Sequence, residues 1–227
     1  MCRALSNQTL KGMAQSVTVY QVLQASMEQT SLDTSTGGLT PLVGRELEVT
    51  LLRERWAQVK DGTGQVVLLN GEAGIGKSRL GRVMKEYVAN ESHVWLECRC
   101  SSYHQSTALY PVIDLLQRLL QWQRINTPDA RLKSSKRSLT TYRLALAETV
   151  PFIAALLSLP LPADHYPALS LTPERQKQKT LEVLLTILFK LAAQRPVSLL
   201  LEDLHWVDPS TLIFSASSLI RHQRYGS

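Results

Sequence analysis

The apolar positions of the chain change period several times, and each change marks an element. Over Val17-Thr18-Val19-Tyr20-Gln21-Val22-Leu23, β-branched and aromatic residues dominate, which predicts a short strand. The stretch that follows, Glu28 to Thr40, is polar, rich in Ser and Thr, and carries Gly37-Gly38; a linker is expected over 27–40. From Pro41 the pattern turns helical, with Leu47, Leu51, Leu52, Trp56 and Val59 at three- and four-residue spacing until Asp61-Gly62-Thr63-Gly64 stops the run. Gln65-Val66-Val67-Leu68-Leu69-Asn70 is then a short apolar run between glycines, as expected of a strand buried on both faces of a parallel sheet. Leu80, Val83, Met84, Tyr87 and Val88 return to helical spacing, so the predicted order here is strand, glycine loop, helix.

The pattern continues in the same alternation. Val94-Trp95-Leu96-Glu97-Cys98 predicts a second strand, and a helix is expected from Tyr110-Pro111, where Pro suits a first helical position. Residues 139–157 read as an apolar helical segment broken by Pro151, and Pro160, Pro162 and Pro167 mark a loop. Thr172-Pro173-Glu174 is a capped helix start, continued by Leu181, Leu184, Leu185, Leu188 and Leu191. Val197-Ser198-Leu199-Leu200-Leu201 predicts a third buried strand that closes on Glu202-Asp203, and Asp208-Pro209-Ser210 reads as the cap of the next helix. Strands alternating with helices imply an α/β fold with a parallel sheet and flanking helices.

Composition narrows the classes of function. A chain of 227 residues with 44% hydrophobic content can bury a substantial core, which excludes disorder throughout. The net charge of +6 comes from 25 Lys and Arg scattered among 19 acids, with no basic block to track a nucleic acid. The cysteines are Cys2, Cys98 and Cys100; none has zinc spacing, and Cys98 and Cys100 share one side if the strand extends over 94–100, so reduced core thiols are expected. No apolar run approaches the roughly 18 residues of a membrane helix, and the first residues have no signal-peptide core, which makes the cytoplasm the expected location.

Two local patterns carry chemistry. Gly71-Glu72-Ala73-Gly74-Ile75-Gly76-Lys77-Ser78 fits the phosphate-loop pattern Gly-x-x-x-x-Gly-Lys-Ser/Thr at every specified position. Glycines let such a loop curl so that amide N–H groups face phosphate oxygens, and the following helix contributes its positive end. Lys77 is then expected at the β- and γ-phosphates, and the Ser78 hydroxyl on Mg²⁺. A solvated glycine turn could match the same letters, but the apolar run before it and the amphipathic helix after it are the context the mechanism requires. Glu202 and Asp203 close an apolar strand, where nucleotide hydrolases place the acids that hold the metal and orient water. Glu202 is the candidate for the metal and Asp203 for the water. An acidic pair at a strand end could equally lead into a surface turn; the phosphate loop upstream favours the chemical role. His205 is read as structural.

Three motifs in order, Leu42-Val43-Gly44-Arg45-Glu46, the phosphate loop, and Leu200-Leu201-Glu202-Asp203-Leu204-His205-Trp206-Val207-Asp208-Pro209-Ser210-Thr211-Leu212, resemble the origin-recognition-like AAA-type P-loop ATPase module of STAND signalling proteins. The likeness covers about 40–213. It implies ATP and Mg²⁺ as cofactors, Val43, Gly44 and Arg45 beside the adenine and ribose, and nucleotide state used as a switch with slow or absent turnover. Ser101-Ser102-Tyr103-His104-Gln105 and Ala108-Leu109-Tyr110-Pro111 look like the version of this module fused behind bacterial class III adenylate/guanylate cyclases. Leu10-Lys11-Gly12 with 17–23 is similar to the last strand of such a cyclase. The implied layout is a cyclase remnant over 1–26, a linker over 27–40, an incomplete AAA-like domain over 41–213 and an unassigned tail over 214–227. On this expectation the chain is a truncated module without cyclase activity, its partners being ATP and the cyclase and repeat sensor domains of a longer parent. The rivals are a DNA-associated origin-type ATPase, which needs a DNA reader that the chain does not show, and a non-binding remnant.

Overall fold

In a computed structural model, which describes residues 2–8, 17–22, 42–120, 122, 127–141, 144–162, 165–166 and 169–225, the chain divides into two compact units, Met1–Arg45 and Glu46–Ser227. The first unit contains the strand predicted at its β-branched run, β2 (Val17–Val22). It pairs antiparallel with β1 (Cys2–Gln8), a strand that the sequence pattern does not announce, with Cys2 opposite Val22 and Gln8 opposite Val17. The expected linker at 27–40 and the cyclase-like Leu10-Lys11-Gly12 lie outside the described residues.

The second unit opens with α1 (Glu46–Lys60), whose acidic first turn and final Lys suit the helix dipole. Gly62, at φ 86°, turns the chain out of it. Only the later part of the predicted apolar stripe is used: Trp56 is buried with Met84 and Val88, and Leu52, Val59 and Trp95 pack around them, whereas Leu47 is 85% exposed. The strand expected at 65–70 is not formed. These residues have no regular secondary structure, and Val66 and Leu68 point largely into solvent, at 63% and 76% exposure. A strand exists only through its neighbours, and among the described residues the sheet of this unit consists of β3 (Val94–Arg99) and β4 (Val197–Glu202). Those two pair in parallel, from Val94 opposite Val197 to Arg99 opposite Glu202, as the alternation of elements predicts.

Between β3 and β4 run α3 (Tyr110–Leu119), α4 (Pro128–Thr141), α5 (Leu146–Leu156) and α6 (Pro173–Ala192); α2 (Lys77–Val88) precedes β3, and α7 (Pro209–Tyr225) follows β4. The expected break at Pro151 does not occur. α5 runs through the proline, which is buried, and the interruption falls earlier, where Ala145 is extended ahead of the helix. The ring costs one helical hydrogen bond, and burial of its neighbours Val150, Ile153 and Ala154 offsets that loss. Thr172 caps α6 as predicted, its Oγ1 accepting the Arg175 N–H at 3.3 Å. Leu184 and Leu185 of α6 join Leu109, Val112, Ile153 and Phe214 in the main core. Leu191 joins Leu96, Cys98 and Leu115 beneath the sheet. Both Cys98 and Cys100 are buried, and burial pushes their thiols up to about 12 and about 11, so they are unreactive core groups near neutral pH. No helix among the described residues is long and apolar enough to cross a membrane.

Candidate functional site

The position of α2 against the sheet decides what its first residues can reach. Gly81 faces β4 so closely that a Cβ there would lie 3.2 Å from Leu200 Cδ2; the missing side chain is what permits this approach. Further along the helix, Lys85 Nζ donates to Glu97 Oε2 at 3.1 Å, and Glu97 is the strand partner of Leu200. Met84 and Val88 pack with Trp95, whose partner is Ser198. Descending α2 therefore means moving back along the strands, so the helix runs antiparallel to them. Its amino end, Lys77 and Ser78, stands at the carboxyl end of the sheet, where β3 finishes at Arg99 and β4 at Glu202.

The loop that delivers Lys77 is built from left-handed glycines. Gly74 and Gly76 have φ of 80° and 99°, a region costly for any residue with a Cβ, and α2 begins on the next residue after Gly76. Residues 71–75 and Ser78 are exposed, and the amino end of α2 receives no side-chain cap, which leaves its first N–H groups for a ligand. Lys77 Nζ donates to the carbonyl oxygens of Gly71 and Glu72, both at 2.8 Å. The loop is thus wrapped around its own lysine, and the ammonium is held at the mouth of the loop. Gly71 N–H donates to Asn70 Oδ1 at 2.9 Å, which fixes the start of the turn.

The acidic end is held more firmly. Glu202 accepts two charge-assisted bonds on Oε2, from Arg99 Nη2 at 2.6 Å and Arg99 Nε at 3.1 Å, and its side chain is only 10% exposed. Arg99 Nη2 also lies 3.6 Å from Glu97 Oε1. Burial works against the charge of Glu97, but the hydrogen bonds from Lys85 and Trp95 and the charges of Lys85 and Arg99 outweigh it and hold its carboxyl below the ordinary value. Asp203 leaves the strand in a left-handed conformation, φ 56° and ψ 45°, which Asp tolerates better than most residues. Its side chain is exposed at the head of a 3₁₀ turn over Leu204–Trp206. His205 is exposed and its ring tilts against Trp206, with 4.9 Å between centroids.

Asp208 does more than the cap its sequence predicts. It is buried, and Oδ1 accepts the N–H groups of Ser210, Thr211 and Leu109, each at 3.0 Å, while Oδ2 accepts the Thr211 hydroxyl. Leu109 itself has φ 59° and opens α3, so one carboxylate ties the loop after β3 to the start of α7. Of the residues expected at a nucleotide site, the second unit brings the phosphate loop with Lys77 and Ser78 to the same end of the sheet as Glu202 and Asp203. Val43, Gly44 and Arg45 belong to the first unit, where Gly44 has φ 73° and Val43 is exposed. Arg99, Glu97 and the second role of Asp208 are not marked by any local pattern; Arg99 is placed on Glu202 by strand register alone.

The arrangement agrees with what comparison with known proteins finds. A family model described as an AAA ATPase domain matches residues 41–227. An uncharacterized protein of Rhizobium meliloti (strain 1021) is 26% identical over 186 residues, covering 75% of this chain and 16% of that protein. The chain thus spans less than a fifth of the length of this curated relative. No solved structure matches the chain. A glycine loop opening a helix at the carboxyl end of parallel strands is the geometry of a P-loop nucleotide-binding module, and with the family model matching most of its length the chain belongs to the AAA ATPase domain family.

Proposed function

We propose that the chain is an ATP- and Mg²⁺-binding regulatory module of the STAND signalling type, in which nucleotide occupancy acts as a switch and hydrolysis is weak or absent. The observation that carries this reading is the shared end of the sheet: the phosphate loop and the Glu202-Asp203 pair come from parts of the sequence far apart and stand on the same side of one fold. Lys77, released from the carbonyl oxygens of Gly71 and Glu72, supplies its charge to the β- and γ-phosphates. Amides of Glu72, Ala73, Gly74 and Gly76, with those of the first turn of α2, supply donors to the phosphate oxygens.

The donor set suits magnesium. Ser78 offers a hydroxyl and Glu202 a carboxylate, both hard oxygen ligands, and among the described residues no group of three or more His, Cys, Asp or Glu could form an all-protein cage. When bound, the ion neutralises charge on the phosphates. Asp203, exposed at the end of β4, is the group positioned to orient a water. Val43, Gly44 and Arg45 are proposed at the adenine and ribose on the strength of the sequence resemblance. On the same basis, residues 101–105 and 108–111 support a cyclase domain, and the family resemblance as a whole a repeat sensor, as partners in a longer parent.

The test is equilibrium binding of a fluorescent ATP analogue with Mg²⁺ to the wild-type chain and to Lys77→Ala. Saturable binding that weakens at least about tenfold in the variant is expected. A cooperatively folded wild-type chain that binds no nucleotide would overturn the reading.

A further inference from the structure

The last rung of the β3–β4 ladder is an ion pair. Arg99 sits opposite Glu202 in the parallel register, and two of its nitrogens converge on one oxygen, Glu202 Oε2, at 2.6 and 3.1 Å. A second acid waits beside the same guanidinium: Glu97 Oε1 is 3.6 Å from Arg99 Nη2. Glu97 is itself fixed by Lys85 of α2 at 3.1 Å and by Trp95 Nε1 at 3.4 Å. A continuous chain of charge therefore runs from the helix of the phosphate loop, through Glu97 and Arg99, to the acid proposed for the metal.

We propose that Arg99 is a positioning residue that competes with the divalent cation for Glu202. The inference rests on the ATP and Mg²⁺ reading of the site. The guanidinium neutralises Glu202 and holds the carboxylate against β3. A carboxylate oxygen that already accepts two charge-assisted bonds has less to give a metal, and a fixed cation beside the site repels a second one. For Glu202 to serve Mg²⁺, Arg99 must give up at least part of this pairing. Glu97 lies within reach to take the guanidinium without a large movement of the strand. The device sets how much Mg²⁺ the module needs before nucleotide and metal bind together, and it couples the metal acid to Lys85 on α2.

The experiment is a Mg²⁺ titration of fluorescent ATP-analogue binding, run on the full chain as wild type, Arg99→Met, Arg99→Lys and Glu202→Gln, with circular dichroism melts to establish folding. Arg99→Met is expected to lower the Mg²⁺ concentration at half-effect by about tenfold, the scale on which one neighbouring charge acts at a partly buried site, while binding in EDTA stays unchanged. Arg99→Lys, which keeps the charge but loses the fork, shifts it less and in the same direction. Glu202→Gln raises the midpoint, and Arg99→Met added to it has no further effect. Equal midpoints in wild type and Arg99→Met, or an upward shift, overturn the proposal and leave nucleotide binding intact. If Arg99→Met does not melt cooperatively, Arg99→Lys decides, and an unchanged midpoint there overturns the proposal. Failure of a folded wild-type chain to bind nucleotide at any Mg²⁺ concentration overturns the functional reading, and this proposal with it.

Discussion

Val66-Val67-Leu68-Leu69 and Val197-Ser198-Leu199-Leu200-Leu201 are close to interchangeable as sequence, and the chain treats them in opposite ways. Each is a short β-prone run ahead of a motif that carries chemistry, the phosphate loop in one case and the acidic pair in the other. The second run is paired along its whole length with β3, and Leu199 and Leu201 pack into the core below the sheet. The first has no regular secondary structure, and two of its four residues are more than half exposed. Apolar composition states what a segment can do; whether it does so depends on a partner strand to satisfy its backbone and a layer to cover its side chains. The two halves of the site inherit this difference. Glu202 and Asp208 are set by long-range bonds, half-buried for the first and buried for the second, whereas Lys77 is held by carbonyl oxygens of its own exposed loop.

The contrast can be broken most severely at Asp208. Asp208→Ala removes the acceptor of three backbone N–H groups and of the Thr211 hydroxyl, and should cost about 3 kcal/mol in a denaturant melt through the lost cap and buried donors left unpaired. Leu199→Ala truncates a side chain packed between two core clusters and should cost about 2 kcal/mol by the same measurement. Leu68→Ala, at the matching place in the unpaired run, should change stability by no more than about 0.5 kcal/mol. A loss comparable to that of Leu199→Ala would show that 65–70 is packed as a strand in solution. Hydrogen exchange sharpens the same point: amides of β4 should be protected and those of 66–69 should exchange early.

A smaller effect concerns pH. The Glu97 carboxyl titrates below its ordinary value of 4.5 in the folded chain, so folding favours its charged form. Its contribution is therefore present above about pH 4.5 and is lost as pH falls through the folded value. Glu97→Gln should flatten that part of the stability–pH profile, seen as a shallower fall of the melting temperature on acidification. A profile that keeps the wild-type slope would assign the acid loss to other carboxylates.

Much of the site is legible in the sequence because its chemistry is local. A phosphate loop needs glycines, a lysine and a hydroxyl at fixed spacing on one turn of chain, and the left-handed Gly76 is where the pattern requires a glycine. Caps are local too, and both Thr172 and Asp208 accept the amides their positions predict. Pro151 misleads because its cost is local but its compensation, a buried α5, is not. β1 escapes the sequence pattern because a strand of mixed composition is recognisable only beside its partner.

By itself, the sequence determined the kind of module: the alternation of elements, the glycine loop with its lysine and serine, the acids at the end of β4, and the buried thiols Cys98 and Cys100. Only the tertiary structure decided which apolar runs became strands, that Arg99 would stand on Glu202 across 103 residues of chain, and that Asp208 would hold Leu109 across 99. The division has one physical cause. Turn, cap and loop chemistry is settled by neighbours along the chain, whereas strand pairing and cross-strand ion pairs are settled by neighbours in space, which the hydrophobic collapse of the whole unit selects.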